Sequence, residues 1–366
     1  MYREVSKLIL YRDLGEDSIL LNMADIFKRF DSCHYRADEL ITDIYREMKA
    51  LLDLATTYGF DKNLWHNYLT FILITNENPF SLVCEKMGAQ EGTVNNFVTH
   101  DFDMFKELFD YDFSWLEKEL SIDCFTQLTH YQAIRKKELM YNKNVSEKVR
   151  NLSEKLETAE SGADFFQYVT EFYKDYGVGM FGLNKAFRIA ENKDGSVRFL
   201  SINNMDAVML DDLIGYELQK KKLIENTEAF IQGRAANNVL LFGDSGTGKS
   251  SSIKAILNEY YEQGLRIIEV YKHQFKSLSE VQEQVKDRKY KFIIYMDDLS
   301  FEDSELEYKY LKAIIEGGLG KKTGNVLMYA TSNRRHLISA QFGEKRELDD
   351  ELNTNDTVQE TQYMVT

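Results

Sequence analysis

A mainly helical domain followed by a three-layered α/β domain with a parallel sheet is the fold class that this 366-residue sequence predicts. Three observations point to it. Apolar residues recur at helical spacing up to about residue 185. Beyond residue 206, the apolar and partly β-branched runs "NNVLLF", "LRIIEVY", "KFIIYMD" and "NVLMYAT" lack strict alternation. Strands buried on both faces of a parallel sheet have that pattern. Between the first run and the helical stretch after it stands "GDSGTGKS", residues 243–250.

The chain exceeds the usual size of one compact core, so two domains are expected. The divisions are a helical domain over 1–185, a hairpin or linker over 186–205, an α/β domain over 206–346, and an acidic tail over 347–366 read as disordered. Hydrophobic and charged contents of 43% and 29% suit an ordinary globular protein, and Pro79 is the single proline. A net charge of −15 disfavours nucleic acid and anionic membranes as partners, because the average field repels them. The run "LTFILI" falls far short of the roughly 20 apolar residues that span a bilayer. The N-terminal stretch is interrupted by Arg12 and Asp13 and makes a poor signal peptide, so a cytoplasmic location is expected. Cys33, Cys84 and Cys124 read as free thiols, and the six scattered histidines suggest no structural zinc.

Taken in order, "ADELITDIYREMKALLDLATTYG" puts Leu40, Ile44, Met48, Leu51 and Ala55 on one helix face, with Gly59 at the C-cap position. "KNLWHNYLTFILIT" runs into the stop signal Asn76-Glu77-Asn78-Pro79. Residues 97–120 space Phe97, Phe102, Phe105, Phe109, Phe113 and Leu116 like a bulky helical core. No basic residues interleave that stripe, so core packing outweighs base stacking. "SEKVRNLSEKLETAE" and "ADFFQYVTEFYKDYG" complete the helical set. Gly177, Gly179 and Gly182 in "GVGMFG" match a dinucleotide fingerprint, but a helix precedes them where that fingerprint needs a strand. Gly177 is therefore read as a helix cap, and "AFRIAENKDGSVRFL" as a hairpin turning at Asp194-Gly195.

Gly243, Gly248, Lys249 and Ser250 satisfy GxxxxGK[ST]. Glycines let backbone amides converge on phosphate oxygens, and the following helix adds its unpaired amides and positive end. Lys249 is expected on the β- and γ-phosphates of ATP, and the Ser250 hydroxyl on Mg²⁺. Asp244, Ser245, Gly246, Thr247 and Ser251 complete the phosphate-binding segment. The strand "FIIYMDD" supplies Asp297 to hold the metal, directly or through water, and Asp298 to orient and deprotonate the attacking water. Asn333, or Ser332 beside it, is the candidate to position that water. Arg334 and Arg335 are either transition-state cations, subunit contacts or solvated surface charges.

At this point the sequence resembles the AAA+ branch of P-loop ATPases over roughly residues 206–346. "GDSGTGKS" matches Walker A, "FIIYMDD" Walker B and "YATSN" sensor 1, while "LDDLIGYE" resembles the segment whose backbone lies against adenine. That last match implies Ile214, Gly215 and Tyr216 as nucleotide contacts. The run from "NNVLLF" to "VYK", with "MDDLSFED" and "ATSNRRHL", is more closely similar to the uncharacterised bacterial ATP-binding family called domain of unknown function 815. The resemblance implies a bacterial source, a P-loop NTPase fold of AAA+ type, and Mg-dependent ATP hydrolysis driving a switch or motor.

Two departures stand out. The second Walker B carboxylate is usually glutamate in that branch, whereas Asp298 is one methylene shorter; paired aspartates also occur in helicase loaders. No lid is expected after "SNRRHLISAQ", because the polar tail has too few apolar residues. The strand carrying the phosphate loop would then have a bare edge, which the "AFRIAENKDGSVRFL" hairpin is a candidate to cover. The partners expected are ATP, a protein client and further copies of the chain. The alternatives are a nucleotide-gated module with little hydrolysis and a helicase-loader-like protein.

Overall fold

The computed structural model describes residues 1–15, 17–33, 35–133, 143–192, 194–202, 205–302, 307, 310, 311, 324–333, 338 and 339. The chain divides into two compact units, Met1–Leu183 and Asn184–Thr366.

In the first unit, eleven helices are formed by described residues: α1 (Tyr2–Lys7), α2 (Ile19–Asp31), α3 (Ala37–Tyr58), α4 (Leu64–Thr75), α5 (Pro79–Met87), α6 (Val94–Phe109), α7 (Ser114–Leu120), α8 (Cys124–Thr129), α9 (Lys143–Glu157), α10 (Gly162–Tyr176) and α11 (Gly179–Leu183). α3 buries Leu40, Ile44, Met48, Leu51 and Ala55 along one face and ends at Gly59, whose φ of 65° suits a residue without a Cβ. Asn76 terminates α4, and Asn78 at once restarts the chain as α5: its side chain accepts from the Phe80 and Ser81 amides, with Pro79 at the first helical position. The stretch expected as one helical core over 97–120 is instead two helices, α6 and α7, broken between residues 110 and 113. Phe102, Phe105, Phe109, Phe113 and Leu116 are buried, but Phe97 lies on the opposite face and is 48% exposed. α10 runs straight into the glycine motif, and the Gly177 amide closes its last turn on Tyr173. No strand precedes the motif, so its glycines serve helix packing.

Buried polar groups of this unit are spent on the unit itself. The Asp101 carboxylate, on α6, accepts the amides of Ile9, Leu10 and Tyr11 at 2.7–3.1 Å. The Tyr173 hydroxyl donates to the Leu73 carbonyl at 2.5 Å and contacts the Tyr11 hydroxyl at 2.7 Å. Glu85 accepts the Val178 amide at 2.9 Å.

The second unit opens with β1 (Ala186–Glu191) and β2 (Val197–Ser201). It continues through α12 (Glu217–Ile231), β3 (Val239–Phe242), α13 (Lys249–Tyr260), β4 (Leu265–Glu269), α14 (Leu278–Val285), β5 (Lys291–Met296), β6 (Phe301–Glu302), β7 (Val326–Ser332) and β8 (Ile338–Ser339). The six-stranded sheet has the order β2-β1-β4-β5-β7-β3, parallel throughout except for the β1–β2 hairpin; β6 and β8 pair separately. Central strands β4 and β5 are buried on both faces, as their uninterrupted apolar runs require. Ile253, Ile256 and Leu257 of α13 pack with Ile267 and Ile293 of the sheet in one core.

The hairpin does not cover the phosphate-loop strand. β1 pairs with β4, at the opposite end of the sheet, through Ala186↔Ile267 to Arg188↔Glu269. An Arg188–Glu269 ion pair at 2.6 Å ties the same register. Among the described residues β3 therefore pairs only with β7, and its burial is correspondingly partial, with Phe242 41% exposed. Most of residues 303–323 lies outside the described residues; the tail over 347–366, Arg334 and Arg335 lie wholly outside them.

Candidate functional site

Parallel strands deliver their C-terminal ends to one edge of a sheet, and ligands of open α/β folds gather there. Three adjacent strands do so here. β3 leads into residues 243–250, β5 into Asp297 and Asp298, and β7 into Asn333. The registers Phe242↔Ser332 and Met296↔Ala330 bring the three strand ends level.

The loop after β3 turns on Gly243, Gly246 and Gly248, with φ of 149°, 79° and 82°. A Cβ at Gly246 or Gly248 would meet nothing within 4 Å, so these glycines are demanded by backbone conformation and not by crowding. The first intrahelical bond of α13 runs from the Ser252 amide to the Gly248 carbonyl at 2.8 Å. The amides of the first turn, from Lys249 to Ser251, precede it and have no helical acceptor. The Lys249 ammonium donates to the Gly243 and Asp244 carbonyls, each at 2.8 Å, and to Asn333 Oδ1 at 3.0 Å. Thr247 Oγ1 donates to the Asp244 carbonyl at 2.8 Å and braces the same turn.

Asp297 faces Ser250 across the strand ends. The Ser250 hydroxyl donates to Asp297 Oδ1 at 2.8 Å, and the Thr331 hydroxyl donates to the same oxygen at 2.5 Å. Burial raises the pKa of Asp297. The Thr331 hydroxyl, the neighbouring Tyr295 and Ser250 hydroxyls and the Asp298 amide outweigh it, so the carboxyl sits below the usual carboxylate range. Asp297 is thus an anion at neutral pH. Two hard oxygen donors, Ser250 Oγ and the Asp297 carboxylate, fit Mg²⁺, which takes one or two protein oxygens together with substrate phosphates. No group of three or more His, Cys, Asp or Glu that could hold a metal occurs among the described residues.

Asp298 has φ of 49°, in the left-handed region that non-glycine residues other than Asp and Asn rarely enter. Its amide donates to Thr331 Oγ1 at 2.9 Å, and the Leu299 amide donates to the Thr331 carbonyl at 2.7 Å. Asn333 Nδ2 donates to Asp298 Oδ1 at 2.8 Å. Asn333 therefore holds Lys249 with its oxygen and Asp298 with its nitrogen. Aspartate, with its short polar side chain, tolerates that left-handed backbone better than most residues.

Beside the loop lies a cleft of about 340 Å³, walled by Leu213, Ile214, Gly215 and Tyr216 on one side and by residues 245–248 on the other. Gly215 and Tyr216 both have positive φ, 87° and 55°, and Ile214 is 96% exposed at the rim. Lys220, one turn into α12, anchors this segment by donating to the Leu213 carbonyl at 2.7 Å. Every sequence-predicted site residue from Ile214 to Asn333 is described and lies on one edge of the sheet or on this cleft, except that Ser251 makes no hydrogen bond specific to the site. Motif and spacing do not single out Thr331, Tyr295 or Lys220. Thr331 was within sight, inside the "YATSN" stretch, but nothing local marks it as the residue that bridges both aspartates.

Residues 183–364, essentially the whole second unit, match the family model described as "Protein of unknown function (DUF815)". No curated protein matches the chain. Among solved structures, Thermotoga maritima RuvB, a Holliday junction branch migration motor, is 21% identical with a TM-score of 0.27, over 36% of this chain and 43% of that one. DnaI is 17% identical with a TM-score of 0.28, over 43% of this chain and 85% of that one. The matched region thus spans less than half of RuvB. Agreement this low carries no argument; the second unit itself shows a mostly parallel sheet with a glycine-rich loop between β3 and α13.

Proposed function

We propose that this chain, whose second unit is of the DUF815 type, binds Mg·ATP at the edge of its parallel sheet and hydrolyses it, working as a switch or motor on a protein client. One observation carries the proposal. Asn333 joins the phosphate-loop lysine to Asp298, while Thr331 joins Asp298 to the metal-side carboxylate Asp297, so the groups needed for phosphoryl transfer form one connected network. Lys249 would exchange its carbonyl partners for the β- and γ-phosphate oxygens. Ser250 and Asp297 would hold Mg²⁺, which when bound neutralises charge developing on those oxygens. Asp298, its carboxylate steered by Asn333, would take the proton of the water attacking the γ-phosphorus as the bond to ADP breaks. The segment at residues 214–216 would seat the adenine. A cytoplasmic setting and self-association belong to this proposal; among the described residues no helix is long and apolar enough to cross a membrane.

A second reading has its own support: a nucleotide-gated module without turnover. The Asp298 side chain is already engaged by Asn333 and its backbone is strained, which suits a latch as well as a base. A helicase-loader-like role is disfavoured by the net charge of −15. Calorimetry of Mg·ATP binding, followed by phosphate release from wild type and Asp298→Asn, separates these readings. Hydrolysis requires magnesium-dependent heat and turnover that falls in the variant. Binding with background turnover in both proteins leaves the gated module, and no binding overturns both.

A further inference from the structure

The magnesium side of the site contains a group that the proposed reaction leaves without a task. Tyr295 stands two residues before Asp297 on β5, so both side chains leave the strand on the same face. It is 5% exposed, and its hydroxyl has no hydrogen-bond partner among the described residues. That hydroxyl lies among Ser250, Asp297 and Thr331, near enough to interact with each. A buried hydroxyl without a partner is costly, and phenylalanine would fill the same space without that cost. By contrast, the other hydroxyls around the carboxylate are engaged: Ser250 and Thr331 both donate to Asp297 Oδ1.

We propose that Tyr295 is a positioning residue for the metal carboxylate: a third hydroxyl donor that Asp297 takes up when it engages a divalent cation. The inference rests on the Mg·ATP reading above. Its physical basis is that groups hydrogen-bonded to a metal's carboxylate fix its direction and keep it ionised. Ser250 is itself a candidate ligand of the ion, and Thr331 also receives the Asp298 amide, so both serve two partners at once. Tyr295 alone of the three makes no well-formed hydrogen bond, although its nearby hydroxyl already helps to keep Asp297 ionised. Its hydroxyl stands close to the carboxylate, so Asp297 could accept from it without moving to another site.

The test compares Tyr295→Phe with wild type in three measurements on the full chain. Mn²⁺ affinity in the presence of nucleotide, followed by electron paramagnetic resonance, is expected to weaken on the order of tenfold, in the range typical of lost outer-shell contacts to a metal site. Nucleotide affinity in excess chelator is expected to stay unchanged, and the melting temperature to stay level or rise, since an unpaired buried hydroxyl has been removed. A melting temperature that falls in Tyr295→Phe shows the hydroxyl to be structural and overturns the proposal. So does an unchanged Mn²⁺ titration. A double-mutant cycle with Thr331→Val adds a second check: the two losses are expected to be non-additive, because both donors serve one carboxylate. Additive losses count against it. If wild type itself shows no metal-dependent nucleotide binding, the Mg·ATP reading fails, which is a different outcome from a normal wild type with an indifferent Tyr295→Phe.

Discussion

The two units handle buried polar groups in opposite ways. In the helical unit, Asp101 is closed off by three backbone amides, and Tyr11, Tyr173 and the Leu73 carbonyl complete one another. These groups are buried, and most of their partners are main-chain amides or carbonyls, so the bonds specify one packing and offer nothing to a ligand. Along the sheet edge of the second unit, Lys249 bonds two loop carbonyls and Asn333, Ser250 bonds Asp297, and Asn333 bonds Asp298, all at partly or fully exposed positions. Such contacts can be exchanged for phosphate oxygens or a metal at small cost. Polar groups buried with fixed partners serve the fold, whereas polar groups at an open edge serve chemistry.

The sharpest test of that contrast is Asp298→Asn. Asparagine tolerates the left-handed backbone, so the fold and ATP binding are expected to persist while steady-state phosphate release falls by about 10²–10⁴-fold, the usual contribution of a general base. Lys249→Ala comes next: loss of a charge-assisted contact to phosphate is expected to weaken ATP binding by about 2–3 kcal/mol, on the order of 100-fold, in a fluorescent-nucleotide titration. Its melting temperature should match wild type, because the ammonium bonds only at the open edge. Asp101→Ala should behave in the converse manner. Leaving three amides without their acceptor is expected to cost about 2–4 kcal/mol in urea unfolding of the helical unit, with the nucleotide affinity of folded protein unchanged. An equal effect of Asp101→Ala and Lys249→Ala on binding would abolish the distinction.

Smaller effects sharpen the same line. Gly248→Ala places a Cβ in open space but at φ of 82°, and should cost about 1 kcal/mol of stability from backbone strain alone. The pH dependence follows from Asp297, whose carboxyl is held below its ordinary value in the folded protein. A depressed carboxyl contributes fully above its unfolded pKa and loses that contribution as pH falls through the lower folded value. Metal-dependent nucleotide binding should accordingly be flat from neutral pH down to about 5, and fade only below the ordinary aspartate value of about 3.9. A midpoint near pH 6 in a Mn²⁺ titration would place the controlling group elsewhere.

Much of this molecule was legible as a string because its signals are local. Helix faces such as Leu40 to Ala55, the stop and restart at Asn76–Pro79, and the bends at Gly243 and Gly248 depend on neighbours within a turn or two, and spacing or glycine placement exposes them. The phosphate loop is contiguous, so its geometry travels with its motif. Other features depend on residues far apart in the chain, and only tertiary structure decided them. The hairpin's choice of β4 over β3 rests on pairing partners about 80 residues away. The break at residues 110–113, which split an evenly spaced aromatic stripe, lets the rings of Phe113 and Phe125 stack at 4.4 Å from separate segments. The bridging of Asp297 and Asp298 by Thr331, and the setting of Tyr295 beneath them, follow from the register of β5 on β7. Spacing along one strand states which side chains share a face, but which strand lies alongside, and at what offset, is settled by the packing of the whole sheet.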